Sequence, residues 1–193
     1  MKKMLLILAL SVFGFANAQK GTILVGGNIG YTSDTYDYQS NKVKATSFDF
    51  SPKAGYQFHD NWTVGVEFKV SSSKQEGDLN KTKSNSFKAG AFVRYTVPLS
   101  ETFSVFGDLG AGFQNRRNKA YENDPLISDA KADGMYVGLT PALFINMKKG
   151  FGLNFSIGGL GYETLSYDNN GVDVKSFYFN FGKTVNIGIS KNF

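Results

Sequence analysis

Charged side chains recur in this sequence at alternate positions. Asp49, Lys53, Glu67, Lys69, Lys88, Arg94 and Asp108 each occupy one parity of a segment whose other parity is apolar, as in Val66-Glu67-Phe68-Lys69-Val70. Gly, Ser, Thr and Asn fill most of the remaining charged-parity positions. Lys53 and Glu67 lie about seven residues from the short polar segment at Asp60, and Arg94 and Asp108 a similar distance from Ser100. Alternating signs at one depth in a narrow space need partners, because an unpaired charge away from bulk water is costly. The pattern therefore offers an interior ion-pair network, or an ion path if the space stays open.

Other chemistry is thinly supplied. There is no Cys, which removes disulfides, zinc–thiolate sites and thiol nucleophiles. The lone His59 lies in His59-Asp60-Asn61 with no Ser beside it, which gives acid–base catalysis little to build on. Asp168-Asn169-Asn170-Gly171-Val172-Asp173 carries oxygen ligands that calcium could use, but these are also turn formers, and the turn is the favoured reading. The 22 glycines follow alternation and supply no phosphate cradle. No metal or cofactor is expected. Gln114 to Tyr121 forms a basic stretch in which Arg116, Arg117, Lys119 and Tyr121 are candidates for binding a surface ligand through Arg–phosphate contacts. A solvated loop is the competing reading.

Strands must position these residues. Period-2 alternation is kept for roughly ten residues at a time, which suits a strand and not a helix. It recurs in eight segments, around residues 22–31, 47–58, 62–71, 86–97, 103–114, 134–147, 151–158 and 177–193. Short turns at His59–Asn61, Pro98–Thr102 and Lys148–Gly150 interleave with expected long loops at Ser33–Lys44, Ser72–Ser84, Asn115–Asp133 and Glu163–Lys175. This describes an all-β, eight-stranded antiparallel up-and-down barrel, closed so that no edge is left. Pro52 and Pro141 fall inside strands, where a missing N–H calls for a local bulge. Lys183 shares the apolar parity of the last segment, so it should snorkel at the outer interface. Either Phe177 to Phe181 then project beyond the membrane or a bulge shifts the parity.

Lys2 and Lys3, the apolar run Met4 to Leu10 and Ala16-Asn17-Ala18 read as a cleaved signal peptide over residues 1–18, leaving a domain over 19–193. Export and a net charge of only +5 argue against nucleic acid as a partner. Helical membrane spans are excluded, because no run of about 18 apolar residues follows the leader. A soluble barrel would turn its apolar face inward. Here the other face holds seven charges, the segments match the span of a tilted membrane strand, and aromatics such as Tyr56, Trp62, Tyr95, Phe103 and Phe151 gather near strand ends. The apolar face therefore meets lipid: the barrel is transmembrane.

Ser51-Pro52-Lys53-Ala54-Gly55-Tyr56-Gln57-Phe58, with Trp62 and Val64-Gly65, resembles the second hairpin of the small outer-membrane β-barrel family of Gram-negative bacteria, the porin-like "outer membrane protein β-barrel domain" group. Thr140-Pro141-Ala142-Leu143 and the ending Asn186 to Phe193 are also similar, and the likeness covers essentially all of 19–193. It implies an outer-membrane location with membrane lipid and lipopolysaccharide as partners. Val185, Ile187, Ile189 and Phe193 resemble the C-terminal signal read by the barrel-assembly machinery, although Lys191 departs from the apolar residue often found there. Some barrels of this shape are lipid A-modifying enzymes, but the resemblance puts His59 at the periplasmic end, and a non-enzyme is expected. The expected role is structural or adhesive, with a plugged lumen and an external surface ligand. A narrow channel, or a gate for small apolar solutes, is the alternative.

Overall fold

The computed structural model describes residues 21–38, 41–148, 150–168 and 171–193; the expected leader lies outside the described residues. Eight strands follow one another: β1 (Ile23–Tyr38), β2 (Asn41–His59), β3 (Trp62–Glu76), β4 (Asn80–Pro98), β5 (Phe103–Glu122), β6 (Leu126–Lys148), β7 (Phe151–Tyr167) and β8 (Asp173–Asn192). Each pairs antiparallel with the next, and β8 returns to β1, closing the barrel. Alternation sets the wall. Val64, Val66, Phe68 and Val70 of β3 point outward and are each at least two-fifths exposed in the isolated chain, while Thr63 on the other parity is buried. Hydrocarbon rewards this inverted arrangement, and the pairing leaves few backbone groups unsatisfied where no water can serve them. At the short-turn end, Trp62 and Tyr95 pack with ring centroids 4.7 Å apart, as an interfacial girdle requires.

The four expected long loops are not loops. Ser33–Tyr38 pairs residue by residue with Asn41–Thr46, and the β3–β4, β5–β6 and β7–β8 connections are likewise strand almost to their tips. Alternation stops where the hairpin leaves the membrane, because water meets both faces there, but backbone pairing carries on. In the tight β5–β6 turn Asn123 and Asp124 both have positive φ, 48° and 76°, and the Asn123 N–H donates to Leu79 O of the β3–β4 tip at 2.9 Å. The hairpins thus touch one another.

The two strand prolines behave differently. Opposite Pro141 the β6–β7 register shifts between Leu139 and Ala142, with the extra residue on β7. At Pro52 no shift occurs. The β2–β3 ladder merely lacks its pairs between Phe50–Val70 and Lys53–Glu67, and the bulge in this hairpin falls at Gln57–His59 instead. On β8, Phe181 still pairs with Gly158 and Ser156 with Asn186, so residues 182–185 oppose a single residue of β7. This irregularity lets Phe177, Phe179 and Phe181 stay outward while Tyr178 points into the lumen. The side chains of Lys183 and Val185 lie outside the described residues.

Ile187 and Ile189 are outward and exposed, as the alternation requires. Phe193 differs, being 3% exposed. Its backbone exchanges both hydrogen bonds with Ile23, at 3.0 and 3.1 Å, and the Lys191 ammonium stands 4.4 Å from its ring and 5.1 Å from that of Phe151. A lysine fits beside lipid here because it finds two aromatic faces.

If the outer hairpins are paired strand, their amides resist exchange despite their polar sequence. Hydrogen–deuterium exchange should find Arg117, Lys119 and Asp129 protected well beyond the dead time; complete exchange at first sampling would return this segment to the status of a loop.

Candidate functional site

The alternation that puts apolar groups outside brings the seven charged residues to the lumen wall. At its centre Arg94 grips Asp108 with two hydrogen bonds, Nε to Oδ1 at 2.6 Å and Nη2 to Oδ2 at 2.8 Å. Both side chains are under a tenth exposed. Lys53 reaches across from β2 to the same carboxylate at 2.7 Å and stands 3.8 Å from Glu67. Lys53, Glu67, Arg94 and Asp108 therefore form one cluster of two cations and two anions. Above it, Lys69 lies 3.5 Å from Asp49, which also accepts from Ser71, and Lys88 pairs with Glu163 at 2.6 Å.

Aromatic rings fill the space the ions leave. Phe92 is 1% exposed, with the Lys53 ammonium 5.0 Å from its ring centre. The Arg94 guanidinium stacks 3.6 Å from Phe106. A side chain on Gly65 would collide with the Phe92 ring and with the Ala54 carbonyl, and one on Gly110 would strike the Glu67 carboxylate at 2.3 Å. Lumen glycines are thus the holes into which larger side chains fit. Tyr136 donates to Glu67 at 3.0 Å and lies beneath the Lys88 ammonium, 5.2 Å from ring centre to Nζ.

Glu163, Tyr136, Phe92 and Phe106 were not among the sequence candidates. Glu163 fell in a stretch read as loop. The three aromatics sit on the polar parity beside Gly or charge, and that pairing of large with absent side chains was the available signal.

Beside the cluster a cavity of about 330 Å³ remains, lined by Asn28, Ser51, Thr140, Asn154, Ser156 and Ser190 together with the charged groups. Asn154 Nδ2 donates to Ser190 Oγ at 3.0 Å, and its Oδ1 is buried with no hydrogen-bond partner among the described residues.

Alternation divides the basic stretch. Arg116, Arg117, Lys119 and Tyr121 lie in strand β5, not in a loop. Arg116 lines the upper lumen with Ser47, Ser71, Ser84 and Ser86, whereas Arg117 faces outward. Arg117 holds Asp129 bidentately at 2.7 and 2.5 Å, with Lys119 4.0 Å away, and Lys83 stands 5.6 Å from the Tyr121 ring centre. One hairpin along, Glu76 is bonded by Lys74 at 2.5 Å and Lys81 at 3.0 Å. These two ammonium groups hold the Glu76 carboxyl down at about 2, and Arg117 lowers that of Asp129. The exterior of these hairpins is thus a belt of Lys74, Lys81, Lys83, Arg117, Lys119 and Lys131, only partly neutralised.

His59 lies in the β2–β3 turn, where its Nδ1 accepts from the Asn61 N–H at 3.4 Å. Among the described residues no group of three metal-ligating side chains occurs. Asn169 and Asn170 of the calcium-like stretch lie outside those residues.

A closed antiparallel barrel with lipid-compatible residues outside and paired charges inside is a transmembrane β-barrel. The sequence matches the family model "Outer membrane protein beta-barrel domain" over residues 4–184, and the chain belongs to that family, which places it in the outer membrane. Solved barrels of similar fold include OprG of Pseudomonas aeruginosa (12% identity, 91% of this chain and 97% of that one, TM-score 0.50). Ail, the attachment invasion locus protein of Yersinia pestis, is similar at 17% identity over 91% of this chain and 99% of that one, TM-score 0.47. The translocator domain of the autotransporter NalP from Neisseria meningitidis is 13% identical, TM-score 0.47; the match covers 91% of this chain and only 64% of that domain. No curated protein matches the sequence.

Two outcomes follow. Arg94→Ala strips Asp108 of its bidentate partner in a low-dielectric site and should cost about 3 kcal/mol in urea unfolding read by gel mobility, whereas Arg94→Met with Asp108→Leu should cost much less. Equal losses would show that packing, not charge, decides. At the hairpins, a carboxyl held below its ordinary value contributes stability that is present above pH 4.5 and lost as pH falls through about 2. The Glu76 carboxyl resonance should titrate near 2 and move back towards 4.5 in Lys74→Gln/Lys81→Gln.

Proposed function

We propose that this chain is a non-enzymatic barrel whose lumen is plugged by the Lys53–Glu67–Arg94–Asp108 cluster and whose outward hairpins form a surface that meets other molecules. The observation that carries the reading is the cluster. Its cations and anions balance, its members join across the bore from β2 to β5, and Phe92 and Phe106 fill the gaps between them. An eight-stranded barrel is just wide enough for side chains to fill it. Ions held this tightly leave no continuous water column.

The same reading takes the external cationic belt as the contact for lipopolysaccharide phosphates. The belt stands on the exterior parity just above the apolar band, where anionic headgroups lie. Arg117 is oriented by Asp129 and keeps side-chain surface available, 45% exposed. Assembly by the barrel-assembly machinery through the C-terminal strand belongs to the same proposal.

Purified protein in a planar bilayer should show no large, steady openings, and Arg94→Ala/Lys53→Ala should create them; steady wild-type conductance would remove the plug. Arg117→Gln/Lys119→Gln should weaken lipopolysaccharide binding about tenfold, the value of losing a charge-assisted contact. Unchanged binding would clear the belt of that role.

A further inference from the structure

Among the described residues the barrel wall has one weak junction. β1 pairs β2 along its whole length, from Ile23 to Tyr38, yet among the described residues it shares with β8 only the four positions from Leu24–Asn192 to Gly27–Ile189, with Ile23 bonded to Phe193 just below them. Continuing the register would oppose Ile29 to Ile187 and Gly30 to Asn186, and those pairs are not made. Both strands depart from regularity at this side. Gly27, the last β1 residue paired with β8, has φ +155°, and a Cβ there would meet the Ser51 carbonyl at 2.4 Å. β8 carries its surplus residues at 182–185, with Gly182 at φ +71°.

The two hydrogen bonds between Ile23 and Phe193 fix which β1 residues aim backbone groups at β8: the odd-numbered ones. Ile29, Tyr31 and Ser33 therefore present N–H and C=O groups to the gap. Hydrocarbon does not tolerate unpaired backbone, which persists at membrane depth only beside protein or a polar cavity. The polar cavity is there. Gly26, Gly27, Asn28 and Ser190 line the 330 Å³ lumen space, so it reaches the seam just where pairing stops. Lys53 sits opposite Gly26 in the ladder, so the ion cluster borders the cavity beside the place where the wall opens. Outside, the seam is flanked by well-exposed apolar side chains, Ile29 71%, Tyr31 69%, Phe177 69% and Phe179 67%, a level that Phe113 of β5 also reaches at 70%.

We infer that the β1–β8 seam is a lateral portal, through which a single-chain amphiphile lies with its headgroup in the lumen cavity and its chain in the outer leaflet. The cavity selects the headgroup. Its cations are matched by Asp49, Glu67, Asp108 and Glu163, so it offers little net charge. Hydroxyl and amide groups of Ser51, Thr140, Asn154, Ser156 and Ser190 offer donors and acceptors in number. An uncharged polyol headgroup satisfies both conditions. This inference goes beyond the surface role proposed above and shares with it only the ion cluster that borders the cavity.

The test uses the full barrel in phospholipid nanodiscs and a diazirine-bearing dodecyl glucoside. Cross-links should concentrate on lumen residues near Asn154 and on the seam at Asn28 to Ser33, and free glucose should not compete. The chain has no Cys, so Gly30→Cys places one thiol just above the last pair, where its Cβ meets only Asp49 at an ordinary 3.8 Å. A bulky maleimide on it should cut seam labelling about tenfold, with unmodified Gly30→Cys behaving as wild type. Thr32→Cys serves the same purpose if Gly30→Cys loses the gel mobility of a folded barrel. Labelling spread evenly over all lipid-facing strands, or indifferent to the maleimide, would overturn the portal. Conductance of the same preparation separates the two ideas: steady current with seam-specific labelling removes the plug and leaves the portal.

Discussion

Backbone hydrogen bonding in a medium without water governs this molecule. Within hydrocarbon each N–H and C=O must find a partner in the protein, and strands can provide one only by closing on themselves. The rest follows from that requirement. Closure fixes two faces, two faces demand strict alternation, and alternation sends every second side chain into a bore too narrow for it to ignore its neighbours. Where the rule is satisfied, the wall is regular and its side chains are ordinary Val, Phe and Leu. Where it lapses, above Gly27 and Ile189, the lapse coincides with glycine and with a polar cavity.

Inside, volume and charge are settled together. Phe92 and Tyr136 are large, and the glycines facing them are as small as residues can be. Arg94 uses its flat guanidinium twice, edge-on to Asp108 and face-on to Phe106, which a lysine could not do. Asp108 is consequently shared by two cations from different strands, and the cluster ties β2, β4 and β5 across the bore as well as along the wall.

Much of this was legible in the residues. Parity located eight strands and gathered the seven charges on one face, because a period of two is not diluted by anything else in the membrane-spanning part; those charges, the length of the segments and the aromatics near strand ends then turned the other face to lipid. Beyond the membrane the same method failed for a physical reason: with water on both faces, polarity no longer reports direction, and Asn115–Glu122 and Leu126–Asp133 read as loop although they are paired strand. Glu163 was missed for that cause. Pro52 misled differently, since a missing N–H can be absorbed by leaving out ladder pairs without a register shift. The weak β1–β8 junction left no trace in composition, because its cause is a partner strand rather than a local pattern.

The division of Arg116 from Arg117 has a consequence for how such a chain can change. Their opposite destinations depend only on counting, so inserting a single residue below them would exchange the two, sending a surface charge into the bore and a bore charge to the surface. Insertions in twos would lengthen a hairpin and leave every assignment intact. The outward hairpins are thus free to vary in length only in even steps, or at their tips, where Asn123 and Asp124 already reverse the chain. Parity acts here as a reading frame, and the membrane is what keeps it.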